Sequence, residues 1–317
     1  MSEPLVSIIT PSLNQGRFLD SAIVSVREQT YASVEHLVID GGSTDSTLET
    51  LAKWGTDPRF RWLAEPDDGM YDAINKGLSM ARGEILGYLN ADDAYMPWAV
   101  EVAAEALLSR PEADLVFGDG IRVDAGTGVQ TLRLFPPFDW AGLARYGSLM
   151  QPTVFWRRRA VDRVGPFDAT LRYVGDLDYW LRIGSSGRTT HVDEVLAVEL
   201  AHGGALSFSQ VEAMAVEDTA MRSRHVSGVG TSTRTAALAR AVRRHKVWQR
   251  RNWLRFLWAS VGGPSGGWSR FRDNGAVTVS RFRIVRGLLP GRGDTYLPNA
   301  VRSELAAQLV SSERIEN

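Results

Sequence analysis

Within the first ninety residues, short apolar runs alternate four times with segments of helical period. The runs, at 5–10, 34–39, 60–64 and 85–89, read as strands, and the last has the pattern of a strand covered on both faces. Between them, 17–29 places Phe18, Ala22, Ile23 and Val26 on one face, a second helix ends near Trp54, and a third carries Tyr71, Ile74, Leu78 and Met80. Repeated strand–helix units predict a parallel sheet with right-handed crossovers. The loops that follow the strands then gather along one edge, where open α/β sheets bind ligands.

Those loops are polar. After the first strand, 11–16 reads as a turn; after the second come Asp40, Gly41 and Gly42, with Ser43 or Thr44 able to cap the next helix. The fourth strand ends in Asn90-Ala91-Asp92-Asp93. Two adjacent carboxylates repel, so the pair is best neutralised by a proton or a divalent cation, and hard oxygen ligands suit magnesium or manganese. A solvated pair capping a helix that starts near Pro97 is the plainer reading, and the residues alone leave both open. No Gly-x-Gly-x-x-Gly follows the first strand and no Gly-Lys-Ser or Gly-Lys-Thr occurs, which argues against dehydrogenase and P-loop chemistry.

A chain of 317 residues with 44% hydrophobic and 23% charged residues has the composition of a globular protein. Zero cysteines exclude disulfides, thiolate metal sites and a cysteine nucleophile. The start shows no export signal and no stretch is apolar enough to span a bilayer, so a cytoplasmic location is expected. The net charge of -1 hides an asymmetry: between Arg234 and Arg292 there are fourteen Lys or Arg and one acid, Asp273. In 235–258, Leu238, Val242, Trp248 and Phe256 share one helical face and Arg240, Arg243, Arg244, Arg250 and Arg251 the opposite one. Such a helix suits either an anionic membrane surface or packing on the rest of the protein; with no nucleic-acid-binding motif beside it, no nucleic-acid partner is expected.

Further along, 116–119 reads as a strand, 123–134 as a hairpin, 153–156 and 195–200 as strands, 176–183 as a helix, and a helix follows from 207 to about 224. In order, Thr10-Pro11-Ser12-Leu13-Asn14, Val38-Ile39-Asp40-Gly41-Gly42-Ser43-Thr44-Asp45, Gly69 with Ala73, Asn75 and Gly77, Leu89-Asn90-Ala91-Asp92-Asp93, and Gly175-Asp176-Leu177-Asp178-Tyr179-Trp180-Leu181-Arg182 resemble the motifs of the family 2 glycosyltransferases. The segment from Glu65 to Gly77 is closest to a bacterial subgroup that includes colanic-acid-type transferases. Three departures stand out: Ile74 replaces an arginine, Asn90 an aspartate, and Gly175 a glutamate.

The resemblance implies a GT-A-like α/β fold, a nucleotide-binding sheet sandwiched by helices, with a mainly helical basic C-terminal extension. It divides the chain into a catalytic domain at 1–206, with a donor half at 1–119 and an acceptor half at 120–206, and an extension at 207–317. It implies transfer with inversion from a nucleoside diphosphate sugar to a glycan or lipid-linked acceptor, aided by Mg2+ or Mn2+, at the inner face of the cell membrane. Asp176 matches the general base, with Asp178 competing for that role; Thr10, Pro11, Asn14, Asp40, Asp67, Asn75 and Asp92 match donor contacts; Asp93 and His202 match metal ligands; Gln151, Asp178 and Trp180 fall on the acceptor side. A nucleotidyltransferase and a non-catalytic nucleotide-sugar or membrane-binding adaptor are the competing readings. The first would show a basic phosphate loop after the first strand, where 11–16 has no Lys or Arg.

Overall fold

The computed structural model describes residues 3–126, 128, 130–133, 135, 140, 143, 144, 149–205 and 210–225. The first half follows the alternation: β1 (Val6–Ser12), α1 (Gly16–Arg27), β2 (Val34–Asp40), α2 (Thr47–Trp54), β3 (Phe60–Ala64), α3 (Met70–Met80) and β4 (Ile85–Tyr88). β1 pairs in parallel with β2 and β4, and β2 with β3. β1, β2 and β4 are buried along their whole length, as strands covered on both faces must be, while β3 at the sheet edge alternates. β1 outruns its apolar run by Pro11 and Ser12, which pair with Ile39 and Asp40. Proline is tolerated there because β4 has already ended on that side: the Ile9 carbonyl takes the Leu89 N–H at 2.9 Å, and two residues on no donor is needed.

The second half is built differently. It comprises β5 (Ala94–Tyr95), α4 (Ala99–Leu108), β6 (Ala113–Asp124), β7 (Gln130–Arg133), a 3-10 turn (Gln151–Thr153), β8 (Val154–Arg157), α5 (Arg158–Val164), α6 (Gly175–Ser186), β9 (Arg188–Ala201) and α7 (Val211–His225). The strand order is β3-β2-β1-β4-β8-β6-β9-β5, with β7 on β6. β8 runs antiparallel to β4 and β6, and β5 antiparallel to β9, while β6 and β9 pair in parallel, so the sheet is mixed and parallel throughout only over its first four strands. The expected hairpin is the β6–β7 pair, whereas β5 and α5 were not expected.

Helices cover both faces. Phe18, Ala22 and Val26 of α1 and Val100, Ala103 and Leu107 of α4 pack with Val6, Ile8, Val116 and Val198. On the other face Ile74 and Leu78 of α3 and Leu177 and Leu181 of α6 pack with Ile9, Leu37, Leu86 and Leu115. Gly77 lets α3 lie close, since a Cβ there would sit 2.5 Å from Ile9 Cγ2. α7 belongs to this same body: Met221 is wholly buried and Arg222 donates to the Leu143 carbonyl. The packed unit therefore reaches His225 and does not stop at 206. The amphipathic segment 235–258 and the remaining basic stretch lie outside the described residues. Among the described residues no helix is long and apolar enough to cross a membrane.

Candidate active site

Because the first four strands are parallel, the loops after β1, β2, β3 and β4 meet at one edge. The first two are laced together. Asn14, in the left-handed region at φ 53, donates its N–H to Ser43 Oγ at 2.7 Å and accepts the Thr44 N–H at 2.9 Å. Asp40 accepts the Gly42 and Ser43 N–H groups and the Ser43 hydroxyl. Ser43 is thus spent on this lacing and does not cap α2; Asp45 does, taking the Thr47 N–H at 3.0 Å and, across the loop, the Gly16 N–H at 2.9 Å.

Several residues expected to touch a donor are therefore placed elsewhere. Thr10 lies inside the sheet, its hydroxyl 2.9 Å from His36 Nε2. Pro11 is buried within β1, and Asp40 is wholly buried in the turn it closes. Asn75 forms a two-point clasp with Phe167, donating to its carbonyl and accepting its N–H, each at 2.9 Å. One donor and one acceptor of its amide are committed to that clasp. Two other groups face this edge. The buried Ser12 hydroxyl ends β1 opposite Asp40 and has no partner among the described residues. Asp67 accepts the Gly69 N–H with Oδ1, while Oδ2 lies over Gly41, where a Cβ would be 2.5 Å away. Burial, only partly offset by that N–H and by Lys76, raises the Asp67 carboxyl above its ordinary value.

The turn after β4 separates its two aspartates. Asp92 faces outward, with Oδ2 3.0 Å from His202 Nε2. The Gly204 N–H points at His202 Nδ1 at 3.2 Å, which leaves Nε2 as the ring nitrogen that faces Asp92. Asp93 turns inward: it is buried, Oδ1 takes the Leu200 N–H at 3.1 Å and Oδ2 faces the Asn90 amide. Burial, with Asp92 and Glu199 adding to it, pushes Asp93 well above the usual carboxylate range. Of the two carboxylates, Asp92 is the one that stands beside His202 and is open to a ligand, while Asp93 lies beneath it. Gln151 braces the turn from below, donating to the Tyr88 carbonyl at 2.6 Å and accepting from Asn90 at 3.2 Å.

On the acceptor side, Asp176 stands on the first turn of α6, half-buried, with its N–H on the Tyr71 hydroxyl at 3.3 Å. Burial pushes its carboxyl up to about 6. Gly175 explains the departure from glutamate: a Cβ there would lie 2.6 Å from the Tyr71 ring. Asp178 is corrected from base candidate to structural anchor. It is buried between Arg182 and His225, each at 2.8 Å; burial alone would raise it, but these partners outweigh that and hold it below the usual range. Trp180 is also an interior residue, 1% exposed and 5.0 Å from the Trp156 ring. Arg122 and Glu199 form a paired fork across β6 and β9 at 2.8 and 3.0 Å, and Glu199 raises both Asp93 and Asp176. Their cross-strand register could not be read from residues 77 apart in sequence.

The sequence pattern described as Glycosyl transferase family 2 matches residues 7–164, from β1 through α5. An uncharacterized glycosyltransferase of Mycobacterium tuberculosis is 35% identical over 185 residues, 57% of this chain and 69% of that protein. The chain belongs to glycosyl transferase family 2. A PGL/p-HBAD biosynthesis glycosyltransferase of M. tuberculosis is 31% identical over 189 residues, 59% of this family 2 enzyme and 72% of that protein. Chondroitin synthase of Pasteurella multocida is 26% identical over 211 residues, 66% of this chain and 22% of that one. The fold is shared with Staphylococcus aureus TarS 1-349 in complex with UDP-GlcNAc, at TM-score 0.59 and 17% identity over 98% of this chain and 90% of that one. It is shared equally with the mannosyltransferase PcManGT of Pyrobaculum calidifontis in complex with GDP-Man and Mn2+, at TM-score 0.58 and 18% identity over 98% and 88%. The family 2 enzyme thus has the GT-A-type sheet, with its two halves joined at β4 and β8.

Proposed function

We propose that this family 2 enzyme transfers a hexose or deoxyhexose, with inversion, from a nucleoside diphosphate sugar to a glycan or lipid-linked acceptor of cell-surface polysaccharide or glycolipid assembly. Asp176 is the base. The acceptor hydroxyl gives its proton to the Asp176 carboxylate as its oxygen bonds to the anomeric carbon, and the bond from that carbon to the diphosphate oxygen breaks, leaving the electron pair on the nucleoside diphosphate. A carboxylate of pKa about 6 is ionised at neutral pH yet basic enough to take a proton in the transition state. This single feature carries the reading, since Asp176 shares Glu199 as an electrostatic neighbour with the Asp92–Asp93 turn.

The residues present fit a divalent cation. Asp92 and His202 already meet at 3.0 Å in the turn after β4, and phosphate oxygens and water would complete the shell of an ion held there. Asp92 and His202 would hold the ion, and bound there it neutralises the charge that develops on the diphosphate. Ser12 and Asp67 hold the nucleoside end in place of Thr10, Pro11, Asn14 and Asp40, and Asn90 and Gln151 set the pitch of the carboxylate turn. The basic stretch 234–292 brings the enzyme to an anionic membrane face, where a lipid-linked acceptor is found.

The test is calorimetry of UDP, GDP, dTDP and CDP with manganese present. One nucleotide binds, and EDTA abolishes the binding. Asp92→Asn and His202→Ala each weaken it by about tenfold or more, the scale of a lost ligand, whereas Asp93→Asn leaves it within about twofold. Equal losses at Asp92 and Asp93 would return the metal to Asp93.

A further inference from the structure

α6 starts without a cap of its own. The residue before it is Val174, no side chain there accepts an N–H, and Gly175 has none to offer. Helix starts leave N–H groups in want of acceptors, and this one carries Asp176 in its first turn. Within α6 the Asp176 N–H meets the Tyr71 hydroxyl at 3.3 Å and the Leu177 N–H meets the Asp176 carboxylate at 2.8 Å; the amides of the turn just before the helix find their acceptor on another helix. Glu217 on α7 takes the N–H of Arg172 at 2.8 Å with Oε1, and those of Tyr173 at 2.6 Å and Val174 at 3.0 Å with Oε2. Three consecutive amides converging on one carboxylate make an anion nest, and its hydrogen bonds are charge-assisted. α7 cannot slide away from this contact. Met221 is wholly buried, Arg222 holds the Leu143 carbonyl, Arg224 pairs with Asp168 at 3.2 Å, and His225 reaches Asp178 at 2.8 Å.

We propose that Glu217 is a positioning residue for glycosyl transfer, fixing the 172–174 turn so that the Asp176 carboxylate is held toward the acceptor hydroxyl. The proposal rests on Asp176 as the base. Only Gly175 separates Val174 from Asp176, so a shift of the turn moves the base with it, and a displacement of about 1 Å costs on the order of a hundredfold in rate. The groups facing Asp176 are Glu199 of β9, Asp218 of α7, Tyr71 of α3 and Tyr88 of β4; none of them bonds the 172–174 amides. Glutamine cannot fully replace Glu217, because in either orientation its NH2 would face at least one of the three N–H groups and it brings no charge.

The experiment compares the full chain with Glu217→Gln, following nucleoside diphosphate release from UDP-glucose, UDP-N-acetylglucosamine, GDP-mannose and dTDP-rhamnose with a bacterial lipid extract as acceptor. We expect kcat to fall about tenfold to a hundredfold with the donor KM within about twofold. The rising limb of the pH profile moves to lower pH as water enters the loosened turn. Carbon NMR titration of the Asp176 carboxyl reports the same downward shift without turnover, and the 172–174 amides exchange faster. Faster exchange with kcat and the Asp176 titration both unchanged would make Glu217 a helix cap only and overturn the proposal, as would unchanged exchange. Asp176→Asn run beside it separates the two readings: if that variant turns over normally, the base assignment fails on its own account.

Discussion

Asp176 combines two demands that oppose each other. Its carboxyl is raised because burial disfavours the charge, so the native state binds that proton more tightly than the unfolded chain does. Stability from this group is therefore highest below the ordinary carboxylate range and falls as pH rises from about 4 to about 6. Asp176→Asn should lower turnover by about a hundredfold to ten-thousandfold. It should also stabilise the fold at pH 7.5, by up to about 3 kcal/mol and less for a partly exposed group, read as a higher melting temperature, with the gain vanishing near pH 4. A melting curve unchanged across that range would mean that the carboxyl is not raised. Asp176 was legible from its motif, but the division of labour between Asp92 and Asp93 was not. Adjacent residues in a turn point in different directions, and here one meets His202 while the other meets the Leu200 amide, more than a hundred residues away in sequence.

At the scale of elements, the sequence motifs marked positions correctly as special while misassigning what some of them do. Asn75 sits in a family pattern, yet its amide ties α3 to the loop that carries Phe167, whose ring stacks on Tyr179 at 3.8 Å and lies 5.9 Å from Tyr71. Asn75→Ala leaves a backbone N–H and a carbonyl unpaired. It should destabilise the fold by about 2 kcal/mol, read as a shifted urea midpoint, with nucleotide affinity unchanged. Loss of nucleotide binding without loss of stability would restore Asn75 to the donor site. Ile74, in place of the usual arginine, is wholly buried among Ile9, Leu37 and Leu86, so that position serves packing here. Gly175 and Tyr71 form a matched pair: the missing side chain of one makes room for the ring of the other.

For the whole molecule, helix α7 joins the catalytic body to the basic stretch that follows it. A cut after residue 225 falls at the end of α7, the last described element. The shortened protein should keep metal-dependent nucleotide binding and lose sedimentation with phosphatidylglycerol vesicles; unchanged vesicle binding would place the membrane contact on the catalytic body. The sequence by itself determined the first four strands, their parallel order, the edge at which polar loops meet and the position of Asp176. Those features rest on periodicity and on local turn residues, which act over a few positions of chain. Tertiary structure alone decided that β8 inserts antiparallel between β4 and β6, that Asp92 rather than Asp93 meets His202, and that Glu217 takes the amides of the turn before α6. Each of these joins residues at least 37 positions apart, the separation of Phe117 and Val154, and such pairings are set by which buried surfaces and unpaired amides fit together in space.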